Sequence, residues 1–496
     1  MFESKCSKHL IIITFISILV YLSIGSSLAI DVNQTDDVAV FDTENIELNS
    51  QNTKTDYTKG TFQDIRDAID KAKDGDTIIL DKNEYLGDGE AINLDKSVNI
   101  VGKEGMKHII NGNNLSRILF IYQNAFNFKI ENCIFVNGYC PTGGGGAMYV
   151  RGHDIEIINC DFINNEALSG GAIYTYYERT YYKNAGDNLK IINCTFYNNL
   201  AYNAGGAVGA YGNNSQIINC VFDSNRAYNK VGGNYDSYGG ALQLGKDEEN
   251  TKSRCVGSLF INNSAVPKGQ VASHGGAGCV RDGVDYINCT FISNSASQGG
   301  ALSYHSSGNI KNCIFINNTA LTLFGGALST GFLPTNMNLL IKDSEFIGNT
   351  APFRGACYLK GSSIIFDNCR IVNNTASIDG GGIYVHATST TIENSVINGN
   401  IANSNGGGIF INAESTTLNN NKLENNEAIP KIEKINEGLG GAIYINSSKA
   451  ILNNNSFKYN TARNGSAIYI DKHSKSTVLN NNKMIENQAW VYYLLI

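Results

Sequence analysis

Two groups of charged side chains are the candidates for catalysis in this 496-residue chain. The first group comprises Arg151, His153, Asp154 and Asp161; the second comprises His274, Arg281, Asp282 and Asp285. Hydrolysis of a glycosidic bond needs two carboxylates at a fixed separation, and an elimination needs a base beside a cation site. Asp161 lies where neighbouring repeats carry Ile134 and Thr195, so we interpret it as a lone outward residue. Neither group forms a strong constellation, and we interpret both as solvated loops and predict no catalytic residue.

Other reactive motifs are missing from the sequence. The glycine run at 143–146 is not followed by Gly-Lys-Ser/Thr, so it is not a phosphate-binding loop. There is no G-x-S-x-G nucleophile motif and no C-x-x-C pair, and the seven histidines are scattered singly. The sequence therefore predicts no metal site and no cofactor.

Seven of the twelve cysteines occupy one position of an internal repeat. They are Cys133, Cys160, Cys194, Cys220, Cys289, Cys313 and Cys369; other repeats carry Ser344, Ser395, Asn421, Asn455 or Asn482 there. The position therefore requires small size rather than sulfur, and buried thiols are predicted. Stacked repeats about 4.8 Å apart would also permit disulfides among the first four cysteines, so that alternative stays open.

Tyrosines are concentrated in two insertions of the repeat. Eleven of the 26 tyrosines lie between Tyr174 and Tyr238, and eight of these are in the insertions 174–184 and 228–238, which the shortest repeats lack. Exposed tyrosines offer flat faces to sugar rings and anchors to protein partners. We predict a ligand-binding patch formed by Tyr176, Tyr177, Tyr181, Tyr182, Tyr235 and Tyr238. The alternative is that these tyrosines cover loops that lie back on the scaffold.

The repeat itself is built on a large apolar residue. The anchors are Phe135, Phe162, Phe196, Phe222, Phe260, Phe291, Phe315, Phe346, Ile371, Ile397, Leu423, Phe457 and Met484. Twelve of the thirteen have Asn three residues later and Ala five residues later, and a glycine pair or its remnant follows each unit. The anchors are 24 to 38 residues apart, and each unit holds about three short strand segments. Strands this short cannot close a sheet within one unit, so neighbouring units must stack.

Stacking predicts an all-β fold, a single-stranded right-handed parallel β-helix with an N-terminal capping helix. Thr61 is expected to cap that helix and Gly75 to stop it. The anchors should form an inward ladder, the Asn at +3 should sit in a turn with positive φ and bond the next coil, and the glycines should permit a tight bend. We assign residues 30–59 to a polar lead-in, 60–129 to the cap and first irregular coils, 130–490 to repeat coils and 491–496 to a tail.

The N-terminus reads as an export signal. Lys5 and Lys8 precede the apolar run 10–24, and Ser27-Leu28-Ala29 predicts cleavage after Ala29, which gives a signal peptide at 1–29. An uncleaved anchor is the alternative, and it would be the only membrane contact. A secreted or cell-surface location follows.

Charge and sequons bear on partners and on modification. With a net charge of −7 and no basic stretch, nucleic acid is excluded as a partner. Asn33 is the expected glycosylation acceptor, whereas Asn-x-Ser/Thr sequons within the coils, such as Asn193 and Asn288, are expected to be inaccessible once folded.

The paired motifs Gly-Gly-Ala-(Ile/Leu/Val) and Phe-x-x-Asn resemble the repeats of chlamydial polymorphic outer-membrane proteins. The full unit, with Asn-Cys-Thr-Phe and Asn-Asn-Thr-Ala, is similar to that of adhesin-like surface proteins of methanogenic archaea. Residues 61–80 resemble the opening of pectin-lyase-like β-helices. The resemblance spans about 60 to 490 and implies surface display and non-catalytic binding to a cell-surface glycan or a partner protein. A polysaccharide lyase or glycoside hydrolase on the same scaffold is the alternative.

Overall fold

The computed structural model describes residues 57–176, 184–229, 236–245, 252–267, 272–281, 283–331, 336–429 and 437–489. Within these ranges the strand pairings are parallel, and each strand pairs with its counterparts in the coils before and after. Three sheets result, and the chain visits them in turn once per coil. Parallel crossovers of this kind are right-handed almost without exception. The fold is therefore the predicted right-handed parallel β-helix.

The first sheet, sheet 1, carries the apolar anchors at the centre of its short strands. Its strands are Lys59–Thr61, Glu84–Leu86, His108–Asn111, Cys133–Val136, Asp161–Ile163, Thr195–Tyr197, Val221–Asp223, Leu259–Ile261, Thr290–Ile292, Ile314–Ile316, Glu345–Ile347, Arg370–Val372, Val396–Asn398, Lys422–Glu424, Ser456–Lys458 and Lys483–Ile485. The eight phenylalanines from Phe135 to Phe346 stack in register, with successive ring centroids 4.6 to 5.1 Å apart. The predicted aromatic ladder is confirmed.

Sheet 2 carries the alanines and is narrow, since many of its strands are two residues long. Its strands are Tyr139–Gly144, Glu166–Ser169, Leu200–Ala204, Arg226–Tyr228, Ser237–Tyr238, Ser264–Val266, Ser273–His274, Ser295–Ala296, Thr319–Ala320, Thr350–Ala351, Thr375–Ala376, Ile401–Ala402, Glu427–Ala428, Thr461–Ala462 and Gln488–Ala489. The alanines of these strands are buried from Ala167 to Ala462. A larger side chain would not fit where the coil is narrowest.

Sheet 3 follows the glycine bend and is the widest of the three. Its strands are Thr77–Leu80, Ile92–Leu94, Asn99–Gly102, Leu119–Ile121, Phe128–Glu131, Met148–Val150, Ile155–Ile158, Ile173–Thr175, Lys190–Ile192, Val208–Ala210, Gln216–Ile218, Leu242–Leu244, Arg254–Val256, Gly278–Val280, Val284–Ile287, Leu302–Tyr304, Gly308–Lys311, Leu328–Thr330, Asn338–Lys342, Cys357–Asp367, Ile383–Glu393, Ile409–Asn419, Ile443–Asn453, Ile468–Ile470 and Ser476–Asn480. In the earlier coils two short strands share this sheet, and in the later coils they merge into strands of 11 residues.

A single helix, α1 (Phe62–Lys71), precedes the coils in the described chain. Thr61 is its N-cap as predicted, and the Asp64 carboxylate accepts a hydrogen bond from the Thr61 backbone N–H at 2.7 Å. We predicted that Gly75 would end the helix, and this prediction is wrong. The helix stops at Lys71, and Lys96 Nζ donates to the carbonyl oxygens of Ile69, Asp70 and Ala72. The lysine supplies partners for the helix end, so no left-handed residue is needed there.

The asparagines at +3 form a continuous buried ladder. Asn318 is representative: its side-chain Nδ2 donates to Phe291 O and to Asn349 Oδ1, both at 3.0 Å, and its Oδ1 accepts from the backbone N–H and the Nδ2 of Asn294. The predicted amide ladder is confirmed, but the predicted positive φ is wrong for these residues. Positive φ falls on the preceding turn residue, such as Asn317 at 52°, and on the residue before the cysteine position, such as Asn312 at 51°. The buried ladder residues keep a negative φ, and the exposed residues next to them adopt the positive φ that the turn requires.

The cysteine position is the small buried slot that the repeat predicts. The eleven cysteines from Cys133 to Cys369 are free thiols, and those in the slot are buried. Cys369 Sγ lies 3.4 Å from the carbonyl oxygens of Ile341 and Asp367, and burial raises its pKa to about 12. A protonated thiol thus serves here as a weak donor to the backbone, in the same slot where Ser344 donates to Lys342 O.

Both glycines of the pair are needed to form the bend. The first glycine has positive φ, as at Gly205 with 60°. The second lies against the next coil: a Cβ on Gly206 would be 1.8 Å from Gly240 O. The close approach confirms the predicted bend and explains why two glycines are needed.

Candidate functional site

One column of residues runs along the outer side of sheet 3, and eight of its thirteen members, including Tyr149, Tyr358 and Tyr384, are buried. Strand pairing aligns the middle residues of successive strands, namely Phe120, Tyr149, Tyr174, Gly209, Gln243, Cys279, Ser303, Ser329, Tyr358, Tyr384, Phe410, Tyr444 and Tyr469. The residues on either side of each point into the core. We call this column and the two columns that flank it the ring face. One flanking column contains Tyr238, His274, Gln298, Phe324 and Arg354, and the other contains Arg151, Tyr176, Arg281 and His305. The two ends of the central column are aromatic, and its middle five coils are small or polar.

The N-terminal end of the ring face combines rings with arginines. The ring centroids of Phe120 and Tyr149 are 5.0 Å apart, and those of Tyr149 and Tyr174 are 5.6 Å apart. The Arg117 guanidinium lies 4.8 Å from the Tyr149 ring, and that of Arg151 lies 5.0 to 5.4 Å from three rings of the same end. Cation–π contacts of this kind hold guanidinium groups at a partly dry surface.

The C-terminal end repeats this arrangement. Tyr384, Phe410 and Tyr444 stack in parallel, with centroids 4.8 and 4.5 Å apart. Arg354 lies 4.4 Å from the Tyr384 ring and 5.1 Å from the ring of Phe324. The rings cover each other's faces, the Tyr384 ring is buried, and the Tyr444 hydroxyl donates to the Asp471 carboxylate. A ligand would be held here mainly by hydrogen bonds rather than by stacking on flat rings.

Between the two aromatic ends lies what we call the ionisable cluster, which covers the small residues of the middle coils. It consists of Asp236, Tyr238, His274, Arg281, Gln298 and His305. His274 Nε2 lies 3.1 Å from Asp236 Oδ2, and its Nδ1 lies 2.5 Å from Gln298 Nε2. The Tyr238 ring stacks on His274 at 5.0 Å, and Arg281 lies 4.3 Å from the same ring. The coil register brings together side chains up to 69 positions apart in the sequence.

The electrostatics of the ionisable cluster follow from its burial. Burial raises the pKa of Tyr238 to about 12, against the opposing charge of Arg281. The hydrogen bond from His274 lowers the pKa of Asp236, which stays a carboxylate. Burial lowers the pKa of His305 to about 3, and the neighbouring His274 and Arg281 add to the effect. Near pH 7 the cluster thus contains a carboxylate, a neutral imidazole at His305 and a guanidinium.

The low pKa of His305 predicts a pH dependence of stability. An unfolded histidine titrates near 6.5, so between pH 6.5 and 3 the unfolded chain binds a proton that the native chain excludes. The free energy of unfolding should fall with decreasing pH by up to about 1.4 kcal/mol per pH unit from this one group. Urea unfolding of the wild type and of His305→Asn at pH 7 and pH 4 measures it, and the variant should show a shallower dependence. Parallel pH profiles would contradict the burial argument.

The structure places the predicted tyrosine patch only in part. Tyr177, Tyr181, Tyr182 and Tyr235 lie outside the described residues, as do Ala29 and Asn33. Tyr176 and Tyr238 are both on the ring face, but two coils apart and in different flanking columns. Tyr176 meets Tyr149 and Arg151, while Tyr238 belongs to the ionisable cluster. Composition pointed to these tyrosines. Of the residues beside them, Arg151, His274 and Arg281 were noted only as candidate catalytic residues, and His305 carried no signal in the sequence.

The first candidate catalytic group is divided among three places. Arg151 lies on the ring face, and His153 pairs with Asp154 at 2.5 Å at a groove of ≈ 760 Å³. Asp161 is on sheet 1, where Lys107 Nζ lies 2.8 Å from its Oδ1. It is therefore ion-paired and not the lone residue we predicted, and burial raises its pKa. The two carboxylates do not share a site.

The second candidate group is partly assembled. His274 and Arg281 meet at the Tyr238 ring, as members of the ionisable cluster. Asp285 lies elsewhere: its Oδ1 accepts from Asn309 Nδ2 at 2.7 Å, and it lines a groove of ≈ 540 Å³ with Arg254. Asp282 is outside the described residues. The fold supplies Asp236 in its place, from a coil that the sequence did not connect to this group.

The sequon asparagines of the coils are not buried, contrary to our prediction. Asn193 and Asn288 are exposed, with φ of 54° each, because the turn residues before the cysteine position point to solvent. Only the following cysteine points inward.

Two further observations limit the chemistry of the described part of the chain. No cluster of three or more His, Cys, Asp or Glu residues is arranged there to hold a metal ion. Across the same ranges, no helix has the length and hydropathy needed to cross a membrane.

Comparison with protein families agrees with the fold. The model of the right-handed β-helix region matches residues 275–433 and 335–494. The Chlamydia polymorphic membrane protein repeat matches residues 159–176, which contain one copy of the repeat unit. The chain thus carries a pectin-lyase-like β-helix with repeats of that type. No curated protein sequence matches it.

Several solved structures are similar at low identity. A mannuronic acid specific polysaccharide family 6 lyase from the human gut microbiota is 12% identical, with a TM-score of 0.41 and coverage of 88% of each chain. A double mutant of the periplasmic alginate epimerase AlgG is 12% identical, with a TM-score of 0.36, over 86% of this chain and 83% of that one. The catalytic domain of an alpha-1,3-glucanase with nigerose is 10% identical, with a TM-score of 0.39, over 85% and 66%.

Proposed function

We propose that this chain is a surface protein that binds an extended, acidic glycan along its ring face without cleaving it. The observation that carries the proposal is the set of arginines that lie over rings of this face: Arg151, Arg281 and Arg354. Guanidinium groups are the donors best suited to carboxylates and sulfates, because they bind them in bidentate fashion. Tyrosine hydroxyls between them suit the hydroxyls of a sugar.

The geometry favours a polymer over a compact ligand. The ring face repeats once per coil, so equivalent groups recur about every 4.8 Å along the axis. Its aromatic ends are separated by five coils of small or polar residues, from Gly209 to Ser329. A chain of linked sugars can engage both ends, whereas a monosaccharide would reach one. The proposed location at the cell surface rests on the repeat type and on the expected signal at 1–29.

Removal of the guanidinium groups should abolish binding. The triple variant Arg151→Gln, Arg281→Gln and Arg354→Gln should lose retention on polyuronates and sulfated glycans at least tenfold, since a hydrogen bond to a charged group contributes about 1.5–3 kcal/mol. The matched control replaces Arg226, Arg254 and Arg370, which are outside the ring face, with glutamine. Affinity electrophoresis or a glycan array reports the retention, and circular dichroism confirms the fold. Equal loss in both triple variants would reject the ring face as the binding site.

A polysaccharide-cleaving enzyme is the second candidate, because the ionisable cluster places a carboxylate–imidazole pair beside a guanidinium. Such groups can move a proton during an elimination or a hydrolysis. The same glycans, incubated with the wild type and assayed for new reducing ends and unsaturated products, separate the two functions. Cleavage that is lost in His274→Gln would replace the binding proposal with an enzymatic one.

A further inference from the structure

We propose that Asn262, Asn317 and Asn373 are sites of N-linked glycan attachment on the folded chain. Each begins an Asn-Asn-Ser/Thr triplet, and each is the turn residue between sheet 1 and sheet 2. We call this series of turn residues the second-turn column. The inference does not depend on what the ring face binds, because these turns are not part of that face.

The fold divides each triplet between core and solvent. Asn317 is exposed with φ of 52°, and Asn262 and Asn373 are equivalent at 53° and 55°. The middle asparagine, such as Asn318, is buried in the amide ladder. The third residue, such as Thr319, points outward at the start of its sheet 2 strand, while the next alanine points inward. The two residues that define a sequon therefore both face solvent, on one side of the turn.

The side-chain amide of each proposed acceptor is available. Elsewhere in the second-turn column an asparagine donates to the coil before it: Asn198 Nδ2 lies 2.8 Å from Asn164 Oδ1, and Asn137 Nδ2 lies 3.1 Å from Asn111 Oδ1. The three acceptors follow coils that carry no amide at this position, namely Ser224, Ser293 and Gly348. In the described contacts, none of the three donates a hydrogen bond from Nδ2. Each proposed acceptor is thus an exposed residue whose Nδ2 donates no hydrogen bond among the described residues.

The spacing of the three acceptors leaves room for glycans. They alternate along the column with Ser293, Gly348 and Gly399, so a sequon occurs in every second coil, about 10 Å apart. A pyranose ring is wider than the spacing of one coil, so glycans on consecutive coils would collide. Above Asn317 and Asn373 the column holds glycine, and even a Cβ there would be 2.5 or 2.4 Å from the Oδ1 of the asparagine.

The transfer is a substitution at the anomeric carbon of a lipid-linked oligosaccharide. The Asn Nδ2 forms the new C–N bond and loses one proton to the transferase. The bond between the anomeric carbon and the lipid phosphate oxygen breaks, and the lipid phosphate or pyrophosphate leaves with the electron pair. The donor supplies the glycan, and no oxidant or reductant is needed.

The test is glycosylation of the purified, folded chain by a single-subunit oligosaccharyltransferase with its lipid-linked donor, read out by peptide mass spectrometry. Occupancy is expected at Asn262, Asn317 and Asn373. The built-in control is the sequon at Asn213, whose Ser215 is buried and donates to Gly212 O, so it should stay unmodified. Asn317→Gln should remove that site and leave the other two occupied.

A synthetic peptide that spans residues 312–321 confirms that the transferase accepts the sequence itself. If the peptide is glycosylated and the folded chain is modified at none of the three sites, the proposal is wrong. Occupancy of Asn213 equal to that of the three acceptors would also overturn it, because accessibility in the fold would then decide nothing. A second variant, Leu200→Thr, turns Asn198 into a sequon with an engaged amide, and its occupancy should be at least fivefold lower than that of Asn317.

Discussion

Replacement of Gly206 with alanine is expected to unfold the coils around it, at a cost above about 3 kcal/mol. The added Cβ would lie 1.8 Å from Gly240 O and 2.6 Å from Arg226 C, and both are backbone atoms of the next coil. Ordinary contact begins near 3.4 Å, so the coils would have to separate. Separation would also break the hydrogen bond from Gly206 N to Gly239 O, which is 3.0 Å long. A flexible side chain could move away from the added Cβ, but a backbone held by strand pairing cannot.

The matched control is Gly75→Ala, which tests positive φ without a close approach. Gly75 has φ of 89°, and no atom lies within 4 Å of a Cβ placed there. Its replacement should cost only the backbone term of about 1–2 kcal/mol. Thermal unfolding followed by circular dichroism compares the two variants. A Gly206→Ala protein as stable as Gly75→Ala would show that the coils tolerate a wider spacing than the structure has.

Removal of one rung from the amide ladder is the second large effect. Asn318→Ala should lower the free energy of unfolding by about 3 kcal/mol or more, since each buried polar group left without a partner costs about 1–3 kcal/mol. The backbone N–H and the Nδ2 of Asn294 would lose their shared acceptor, and Phe291 O would lose its donor.

The neighbouring residue provides the control for this variant. Asn317→Gly alters an exposed turn residue at φ of 52°, a position where other coils already have Gly348 and Gly399. Its effect should stay within about 0.5 kcal/mol. Urea unfolding of both variants gives the difference. If Asn318→Ala were as mild as Asn317→Gly, the ladder would contribute regular spacing rather than stability.

Much of the scaffold was predictable because stacking places each repeat position next to the same position of the neighbouring coils. Phe196 packs on Phe162 and Phe222, so a residue that recurs at one position reports its own environment. The residue types found at one repeat position then indicate the side-chain size and polarity that the position requires. The prediction failed where two adjacent asparagines had to be told apart. The pattern Asn-Asn does not say which one enters the core, and we assigned the positive φ to the wrong one of the pair.

The candidate site was predictable only in fragments. Tyr176 and Tyr238 stood out by composition, and His274 and Arg281 were noted together because they are close in sequence. Asp236 and His305 were missed, since 38 and 31 residues separate them from His274.

By itself the sequence determined the coil: the anchor, the amide ladder, the small slot and the glycine bend, each of which recurs and packs on its own copies. Only the tertiary structure decided which outward residues share a face. Insertions make the coils 24 to 38 residues long, so equal sequence spacing does not mean equal position. Backbone pairing restores the register by aligning the strands of successive coils. The ring face and the second-turn column exist because of that alignment.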